Sequence, residues 1–89
     1  MITVEFSRSF LKAYGQRVKK NSKLKLQFQK RLDIFKNNRR HPYLHDHKLT
    51  GIKANLRSFS ITGDIRAIYR TVSENLIVLI DIGSHNQVY

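Results

Sequence analysis

The second half of the chain contains three short strand-like runs separated by turns of only three residues. The runs cover residues 56–61, 65–72 and 76–82, and they are rich in β-branched and aromatic side chains. The intervening segments, 62–64 and 73–75, are polar and short enough to form tight hairpins. Three runs joined in this way predict an antiparallel meander, which constrains where the remaining elements can pack.

The first part of the chain combines one strand-like run with an apolar stripe at helical spacing. Residues 2–6 alternate apolar and polar side chains, which is typical of a strand. Ser7 then offers a cap for a helix, and Phe10, Tyr14 and Val18 follow at helical intervals. This pattern predicts a strand followed directly by an amphipathic helix.

A second helix is predicted after a polar break in which either Asn21 or Ser22 can act as the cap. Its apolar face consists of Leu24, Phe28, Leu32 and Phe35. Residues 37–51 then form a basic, turn-rich loop that leads into the meander. The predicted fold is a single α+β domain over residues 1–89, ordered β-α-α-β-β-β. Its twisted, mostly antiparallel sheet carries both helices on one face and leaves the other face free to bind a partner.

The charge of the chain restricts its partners. There are 17 lysine and arginine residues against 6 aspartate and glutamate residues, which gives a formal net charge of +11. Such an imbalance attracts polyanions. Nucleic acid is the first candidate partner, and an acidic protein is the second.

The chain contains no cysteine, so it has neither a disulfide framework nor thiolate metal ligands, which fits a reducing cytoplasm. The first residues lack the charged and apolar blocks of a signal peptide. The longest apolar stretch, residues 76–80, is far too short to span a bilayer. We therefore expect a cytoplasmic protein without a membrane segment.

Three histidines, His41, His45 and His47, fall within the basic loop, and His85 follows the last strand-like run. Histidine can exchange protons near neutral pH, so His47, beside Lys48, and His85 are candidates for acid–base chemistry. A solvated surface histidine is the simpler interpretation of each. No acidic or thiol side chains complete a standard metal-ligand spacing around the loop histidines, so no metal site is predicted.

Two arginines, an aspartate and a tyrosine are further candidates. Arg57 and Arg66 lie on adjacent strands of one predicted hairpin, where an arginine can clamp a phosphate with two hydrogen bonds. At least one of them could instead pair with Asp64 or Asp81. An aspartate in a turn, such as Asp64, is usually structural. Tyr89, the last residue, could stack on a base or assist proton transfer.

At these residues the chain resembles the RelE/ParE superfamily of bacterial type II toxin–antitoxin systems. The closer resemblance is to the YafQ-like branch of RelE-type mRNA interferases. The matching motifs are DHKL.G at residues 46–51, LRSF.I.GD.R.IY at 56–69 and IGSH..VY at 82–89. Each motif alone is weakly specific, but their order and spacing agree with the family over nearly the whole chain.

The resemblance implies a fold like the one derived above and an enzyme that cleaves mRNA, usually on the ribosome, without a metal or other cofactor. The 2′-hydroxyl of the RNA attacks the scissile phosphate, leaving a 2′,3′-cyclic phosphate and a 5′-hydroxyl. Such chemistry requires a base, cations for the charge that develops on the phosphate, and an acid for the leaving oxygen.

The resemblance also assigns roles to individual residues. His47 and His85 match catalytic histidines, and which of the two is the base is left open. Asp64 matches an acidic catalytic residue, Arg57 a phosphate-stabilising arginine, and Tyr89 an aromatic residue that orients the substrate. The other basic residues expected to bind RNA are Lys48, Lys53 and Arg66.

Two positions depart from the YafQ-like pattern: Ser60 stands where these enzymes carry another histidine, and Ile65 where they carry tryptophan.

Two further hypotheses stay open. One is a ParE-like toxin that binds DNA gyrase without cleaving RNA, and the other is a non-enzymatic nucleic-acid-binding module. Neither makes use of the histidines.

The expected partners are mRNA, the ribosome and a cognate acidic antitoxin. A partly disordered acidic segment could wrap the basic surface and block RNA entry, and the association is then expected to slow as salt rises. The codon preference, the identity of the antitoxin and the oligomeric state do not follow from the sequence.

Overall fold

The computed structural model describes residues 1–53 and 55–89, except for the side chain of Ile52. In chain order the elements are β1 (Thr3–Phe6), α1 (Arg8–Arg17), α2 (Ser22–Asn37), β2 (His47–Lys48), β3 (Arg57–Ser60), β4 (Ile65–Ser73), β5 (Leu76–Ser84) and α3 (His85–Val88). The strands form a single sheet in the order β1-β5-β4-β3-β2. β1 is parallel to β5, and the other pairs are antiparallel. The predicted α+β class and mostly antiparallel sheet are confirmed.

Both N-terminal helices begin where the sequence placed their caps. The Ser7 side chain accepts a hydrogen bond from the backbone N–H of Phe10 at 3.1 Å. At the start of α2, the Asn21 side chain accepts from the backbone N–H of Leu24 at 3.0 Å. Each cap satisfies a backbone N–H that has no partner within its helix. The start of each helix is therefore determined by a few adjacent residues.

The main core lies between α1, α2 and one face of the sheet, and aromatic rings fill much of it. Phe35 of α2 stacks on Phe59 of β3 with ring centroids 4.5 Å apart. The ring of Tyr69 meets Phe35 edge-on at 5.0 Å. These rings are fully buried, and they fix how α2 sits on β3 and β4.

The register of β3 with β4 decides which side chains share a face, because successive side chains of a strand point to opposite faces. The face that packs against α1 and α2, the covered face, carries Arg57, Phe59, Ala67 and Tyr69. The opposite face, the open face, carries Ser58, Ser60, Arg66 and Ile68. His47 of β2 is paired with Ser58 and therefore also lies on the open face.

Two elements were not predicted. β2 lies inside the expected loop, and it is only two residues long, too short for an alternating pattern to reveal it. α3 follows β5, which runs two residues further than predicted, and it packs on part of the open face through the buried side chain of Val88. The open face is therefore partly covered by the segment that carries His85.

No helix in the described part of the chain is long and apolar enough to cross a membrane.

Candidate functional site

His47 lies exposed on β2, and a hydrogen bond to the backbone fixes its ring. Its Nδ1 is 2.8 Å from the carbonyl oxygen of His45. Because a carbonyl oxygen only accepts, Nδ1 carries the hydrogen in this contact, and Nε2 of the neutral ring is left to accept a proton. His45 adopts a left-handed backbone conformation with φ of 48°, and this turn brings its carbonyl back towards the His47 ring.

Tyr89 connects His85 to Ser58, the residue that is paired with His47 on the neighbouring strand. The Tyr89 hydroxyl is 2.5 Å from Ser58 Oγ, and Ser58 is the partner of His47 across the β2–β3 ladder. The Tyr89 ring meets the His85 ring edge-on, with centroids 4.4 Å apart and planes at 83°. Tyr89 therefore contacts His85 directly and reaches the pair of strands that carries His47.

The short helix α3 is held in place at both ends. Val88 is buried in a small cluster with Leu49 and Ile68 on the open face. At the helix start, the backbone N–H of Ser84 donates to the Gln87 side-chain oxygen at 2.7 Å. These contacts keep His85 at the beginning of a fixed turn rather than on a loose tail.

Two pockets lie on either side of His47, which lines both. The first, the Tyr89 pocket, has a volume of about 530 Å³, and its other walls include Lys48, Lys53 and Tyr89. The second, the Arg66 pocket, has a volume of about 540 Å³, and its other walls include Arg31, Ser60 and Arg66. The candidate base is therefore flanked by cationic side chains on two sides, which suits a chain of phosphates.

Arg66 is placed on the open face in a way that stability does not explain. Its guanidinium donates to Ser60 Oγ and, at 3.4 Å, to the carbonyl oxygen of Gly63. Its Nε is buried and has no hydrogen-bond partner among the described residues. An unpaired buried donor costs about 1–3 kcal/mol. The position therefore favours a functional role for the arginine.

Arg57 lies on the covered face, away from the side of the sheet that carries His47. Its Nε donates to Asp46 Oδ1 and to the Tyr69 hydroxyl, both at 3.2 Å. Partial burial lowers the pKa of Arg57, but the hydrogen bond with Tyr69 and the charge of Asp46 outweigh this effect and raise it overall. Arg57 is thus held as a fixed cation within a polar cluster.

The buried Tyr69 hydroxyl completes this cluster by donating to Asp46 Oδ1 at 2.7 Å. Burial, reinforced by the hydrogen bond to Asp46 and by its negative charge, raises the pKa of Tyr69 well above its ordinary value. Tyr69 therefore stays a neutral donor over the physiological range.

The sequence left open that Arg57 or Arg66 pairs with Asp64 or Asp81, and this alternative is wrong. None of the ion pairs among the described residues joins these arginines to these aspartates. Asp81 pairs with Arg17 at 3.1 Å, because the end of α1 passes beside β5. Asp64 is exposed in the β3–β4 turn, where its backbone N–H donates to the Thr62 side chain at 3.2 Å.

The remaining predicted residues are Asp64, Lys53 and Lys48. Gly63 helps to line the Arg66 pocket, which puts the neighbouring Asp64 beside its rim. Lys53 donates from its ammonium group to the carbonyl oxygen of Val88 and so lies against α3. Lys48 is exposed next to His47.

Lys48, Lys53 and Tyr89 line one pocket with His47, and Arg66 lines the other. His85 contacts Tyr89 but lines neither pocket, and Asp64 is exposed in its turn.

Three residues of this region escaped the sequence reasoning as site residues. Ser58 links β3 to Tyr89, and Arg31 of α2 reaches the Arg66 pocket by donating to the backbone of Tyr43. Asp46 is nearly buried and pairs with Arg57. Asp46 stands inside the first motif, but its tertiary partners come from residues distant in sequence, so no local pattern marked its role.

The described residues contain no group of three or more His, Cys, Asp or Glu side chains arranged to hold a metal ion.

The fold is that of a class of small toxins with a RelE-type sheet. YafQ from Escherichia coli strain BL21(DE3) superposes with a TM-score of 0.80 at 18% identity, over 100% of this chain and 99% of that chain. The toxin of the E. coli DinJ–YafQ complex gives a TM-score of 0.79 at 19% identity, with the same coverage. A metal-bound toxin from Helicobacter pylori is 28% identical, with a TM-score of 0.73 over 100% of both chains.

A family model described as the bacterial toxin of type II toxin–antitoxin system, YafQ, matches residues 2–89. The chain belongs to this YafQ family of type II toxin–antitoxin toxins. No curated protein sequence is significantly similar to it.

Proposed function

We propose that this toxin is an mRNA interferase, an endoribonuclease that cleaves mRNA on the ribosome by attack of the RNA's own 2′-hydroxyl. The observation that carries the proposal is the place of His47, which is exposed between two cationic pockets and lines one of them together with Tyr89, the residue that contacts His85. A surface that bound a protein through shape alone would have no use for exposed histidines beside cationic pockets.

His47 is proposed as the general base. Its Nδ1 is engaged by the carbonyl of His45, so Nε2 is free to remove the proton from the 2′-hydroxyl. The 2′-oxygen then attacks the adjacent phosphorus, and the bond from phosphorus to the 5′-oxygen of the next nucleotide breaks. The products are a 2′,3′-cyclic phosphate and a 5′-hydroxyl.

Arg66 is proposed to stabilise the negative charge that develops on the phosphate, since it lines the same pocket as His47. His85 is proposed as the general acid that gives a proton to the leaving 5′-oxygen. It is exposed at the start of α3, with its ring oriented by the edge-on contact with Tyr89. Proton removal and proton donation are thereby assigned to different histidines.

The other predicted residues are assigned by their positions. Tyr89 provides a ring for a base of the RNA, and Lys48 and Lys53 provide charge for the phosphates beside it. Asp64 keeps the acidic role that the family resemblance implies, acting from the rim of the Arg66 pocket. Arg57, on the covered face, is better suited to supporting the site than to contacting the scissile phosphate.

An acidic antitoxin is the proposed cellular partner, and the cytoplasm is the proposed location. The E. coli relative has been crystallised as a DinJ–YafQ toxin–antitoxin complex. The net charge of +11 on this chain would attract an acidic segment, and the same charge would attract ribosomal RNA. The antitoxin and the RNA would then compete for one basic surface.

The test is cleavage of a translated mRNA by the purified protein, with and without ribosomes, followed by mapping of the RNA ends. The wild type is compared with His47→Ala, His85→Ala and the control His41→Ala. His41 belongs to the same loop, but its side chain accepts from the Tyr43 backbone and lines a different pocket.

Ribosome-dependent cuts inside codons that end in cyclic phosphates, and that disappear in the first two variants only, would support the proposal. Absence of cleavage by the folded wild-type protein under all conditions would overturn it. The gyrase-binding and binding-module hypotheses would then be the ones to test.

A further inference from the structure

The carboxylate of Asp46 is the most fully engaged acidic group near the site, although it does not line either pocket beside His47. Its side chain is only 6% exposed. Oδ1 accepts from the Tyr69 hydroxyl at 2.7 Å and from Arg57 Nε at 3.2 Å. Oδ2 lies 3.4 Å from Arg39 Nε. Both carboxylate oxygens are therefore held, by groups on three different segments.

These three partners lie on different parts of the chain. Arg39 follows α2, Arg57 lies on β3 and Tyr69 lies on β4. Asp46 thus ties the segment between α2 and β2 to the covered face of the sheet. The attachment is made at the residue that immediately precedes His47.

Because neighbouring residues of an extended segment point in opposite directions, anchoring Asp46 on the covered face directs His47 to the open face. The carbonyl of His45, on the other side of Asp46, holds Nδ1 of the His47 ring. The position of the imidazole is therefore set by the anchored carboxylate of Asp46 and by the carbonyl of His45.

Stability is a weak explanation for this cluster. Burying a carboxylate between two arginines has a desolvation cost that often offsets the attraction, so replacement by neutral groups is often close to neutral in stability. A cluster that fixes one geometry is useful where a reacting group must be held within a fraction of an ångström.

We propose that Asp46 is a positioning residue for His47, and that Arg57 acts through Asp46 rather than on the scissile phosphate. Arg39 and Tyr69 complete the anchor. The inference rests on the proposed function for its kinetic consequence, while its structural consequence, the fixed His47 ring, does not depend on RNA cleavage.

The first measurement is the tautomer of His47, read from long-range ¹H–¹⁵N NMR spectra of the full chain in the wild type, Asp46→Asn and the control Asp33→Asn. Asp33 is exposed on α2, so its substitution removes the same charge without touching the anchor. In the wild type and the control, the neutral ring should carry its hydrogen on Nδ1. In Asp46→Asn it should be a mixture of both tautomers.

The second measurement is the dependence of cleavage on substrate concentration. Small misplacements of a reacting group can cost about 100-fold in rate. Asp46→Asn should therefore lower kcat by about 10- to 100-fold with little change in KM. Arg57→Lys should show a smaller effect of the same kind, since lysine keeps the charge but lacks Nε. A residue that bound the substrate directly would raise KM instead.

An unchanged His47 tautomer together with unchanged kcat in Asp46→Asn would overturn the inference, and so would an effect confined to KM. If Asp46→Asn fails to fold, Tyr69→Phe replaces it, since that change removes one hydrogen bond and keeps the ring. The same outcomes then apply. If the wild type cleaves no RNA but the tautomer still changes as expected, the proposed function fails while the anchoring of His47 stands.

Discussion

Tyr89 and Ser58 share a hydrogen bond of 2.5 Å that joins the end of the described chain to β3. Ser58 faces His47 across the β2–β3 ladder, and the Tyr89 ring lies against His85. Tyr89 therefore relates His85 to the strand pair that carries His47, and the proposed division of acid and base depends on this arrangement.

The two histidines should differ in how their loss is rescued. Each alanine variant, His47→Ala and His85→Ala, should lower the single-turnover cleavage rate by about 10²- to 10⁴-fold, as is usual for a lost acid or base. A substrate with sulfur in place of the bridging 5′-oxygen has a leaving group that needs no proton. Its cleavage should be largely restored in the His85 variant and stay slow in the His47 variant. The opposite pattern would exchange the two roles.

Replacing Arg66 should separate activity from stability. Arg66→Ala is expected to lower the single-turnover rate by about 100-fold or more, because a donor to the developing charge is lost. Its free energy of unfolding should change by no more than about 1 kcal/mol, because removal of the buried Nε, which is unpaired among the described residues, offsets the loss of the hydrogen bonds to Ser60 and Gly63. Urea unfolding and rate measurements check both parts, with the exposed Arg8→Ala as the charge control. Loss of stability without loss of rate would show that Arg66 is structural.

Gly83 should tolerate no side chain without disturbing α3. A Cβ at this position would lie 2.6 Å from the Gln87 side-chain oxygen and 2.9 Å from the Arg17 guanidinium. The Gln87 oxygen accepts from Ser84 at the start of α3, so displacing it should loosen the turn that carries His85. Gly83→Ala should therefore reduce the rate of cleavage clearly, while the thermal midpoint of unfolding changes little.

The matched control for that substitution is Gly15→Ala. A Cβ at Gly15 would meet nothing within 4 Å, and Gly15 lies inside α1. Alanine there should raise the free energy of unfolding by up to about 1 kcal/mol through helix propensity, with unchanged cleavage. Equal activity of the Gly83 and Gly15 variants would show that α3 does not need this close approach.

The buried Tyr69 hydroxyl should make stability depend on alkaline pH. Tyrosine in the unfolded chain loses its proton at a pKa of about 10, whereas the folded protein keeps it to higher pH. Above about pH 10 the unfolded state binds fewer protons than the folded state. The stability contributed by the hydroxyl therefore falls as the pH rises, by at most about 1.4 kcal/mol per pH unit.

Denaturant unfolding of the wild type and Tyr69→Phe checks this prediction. The difference in their free energies of unfolding should be constant from neutral pH to about pH 10 and then shrink in favour of the phenylalanine variant. Other titrating groups are common to both proteins and cancel in the difference. A difference that stays constant at higher pH would show that the folded Tyr69 titrates normally.

Much of the fold could be predicted because its signals are local. The caps at Ser7 and Asn21 and the short turns of the meander are each determined by a few adjacent residues. β2 and α3 could not be predicted in this way. A strand of two residues and a helix of four are stabilised by what they pack against, such as the contact of Val88 with Ile68, and not by their own sequence.

For the candidate site, the motifs predicted the residues but not all of their directions. Tyr89 contacts His85 and lines a pocket with His47, and the roles of these three residues stay a prediction. Arg57 does not join them, and the alternation of side chains between the two faces of β3 explains why. Arg57 has the same parity as Phe59, a large apolar residue that must face the core, so both lie on the covered face.

The most direct test of the central claim is cleavage of an mRNA that carries a single 2′-deoxynucleotide at the mapped cleavage site, assayed on ribosomes with the unmodified mRNA as the control. If the RNA's own 2′-hydroxyl is the nucleophile, the cut at that position should disappear while cuts elsewhere persist. Cleavage that continues after the deoxynucleotide would contradict the account, because the attacking oxygen would then have to come from another source.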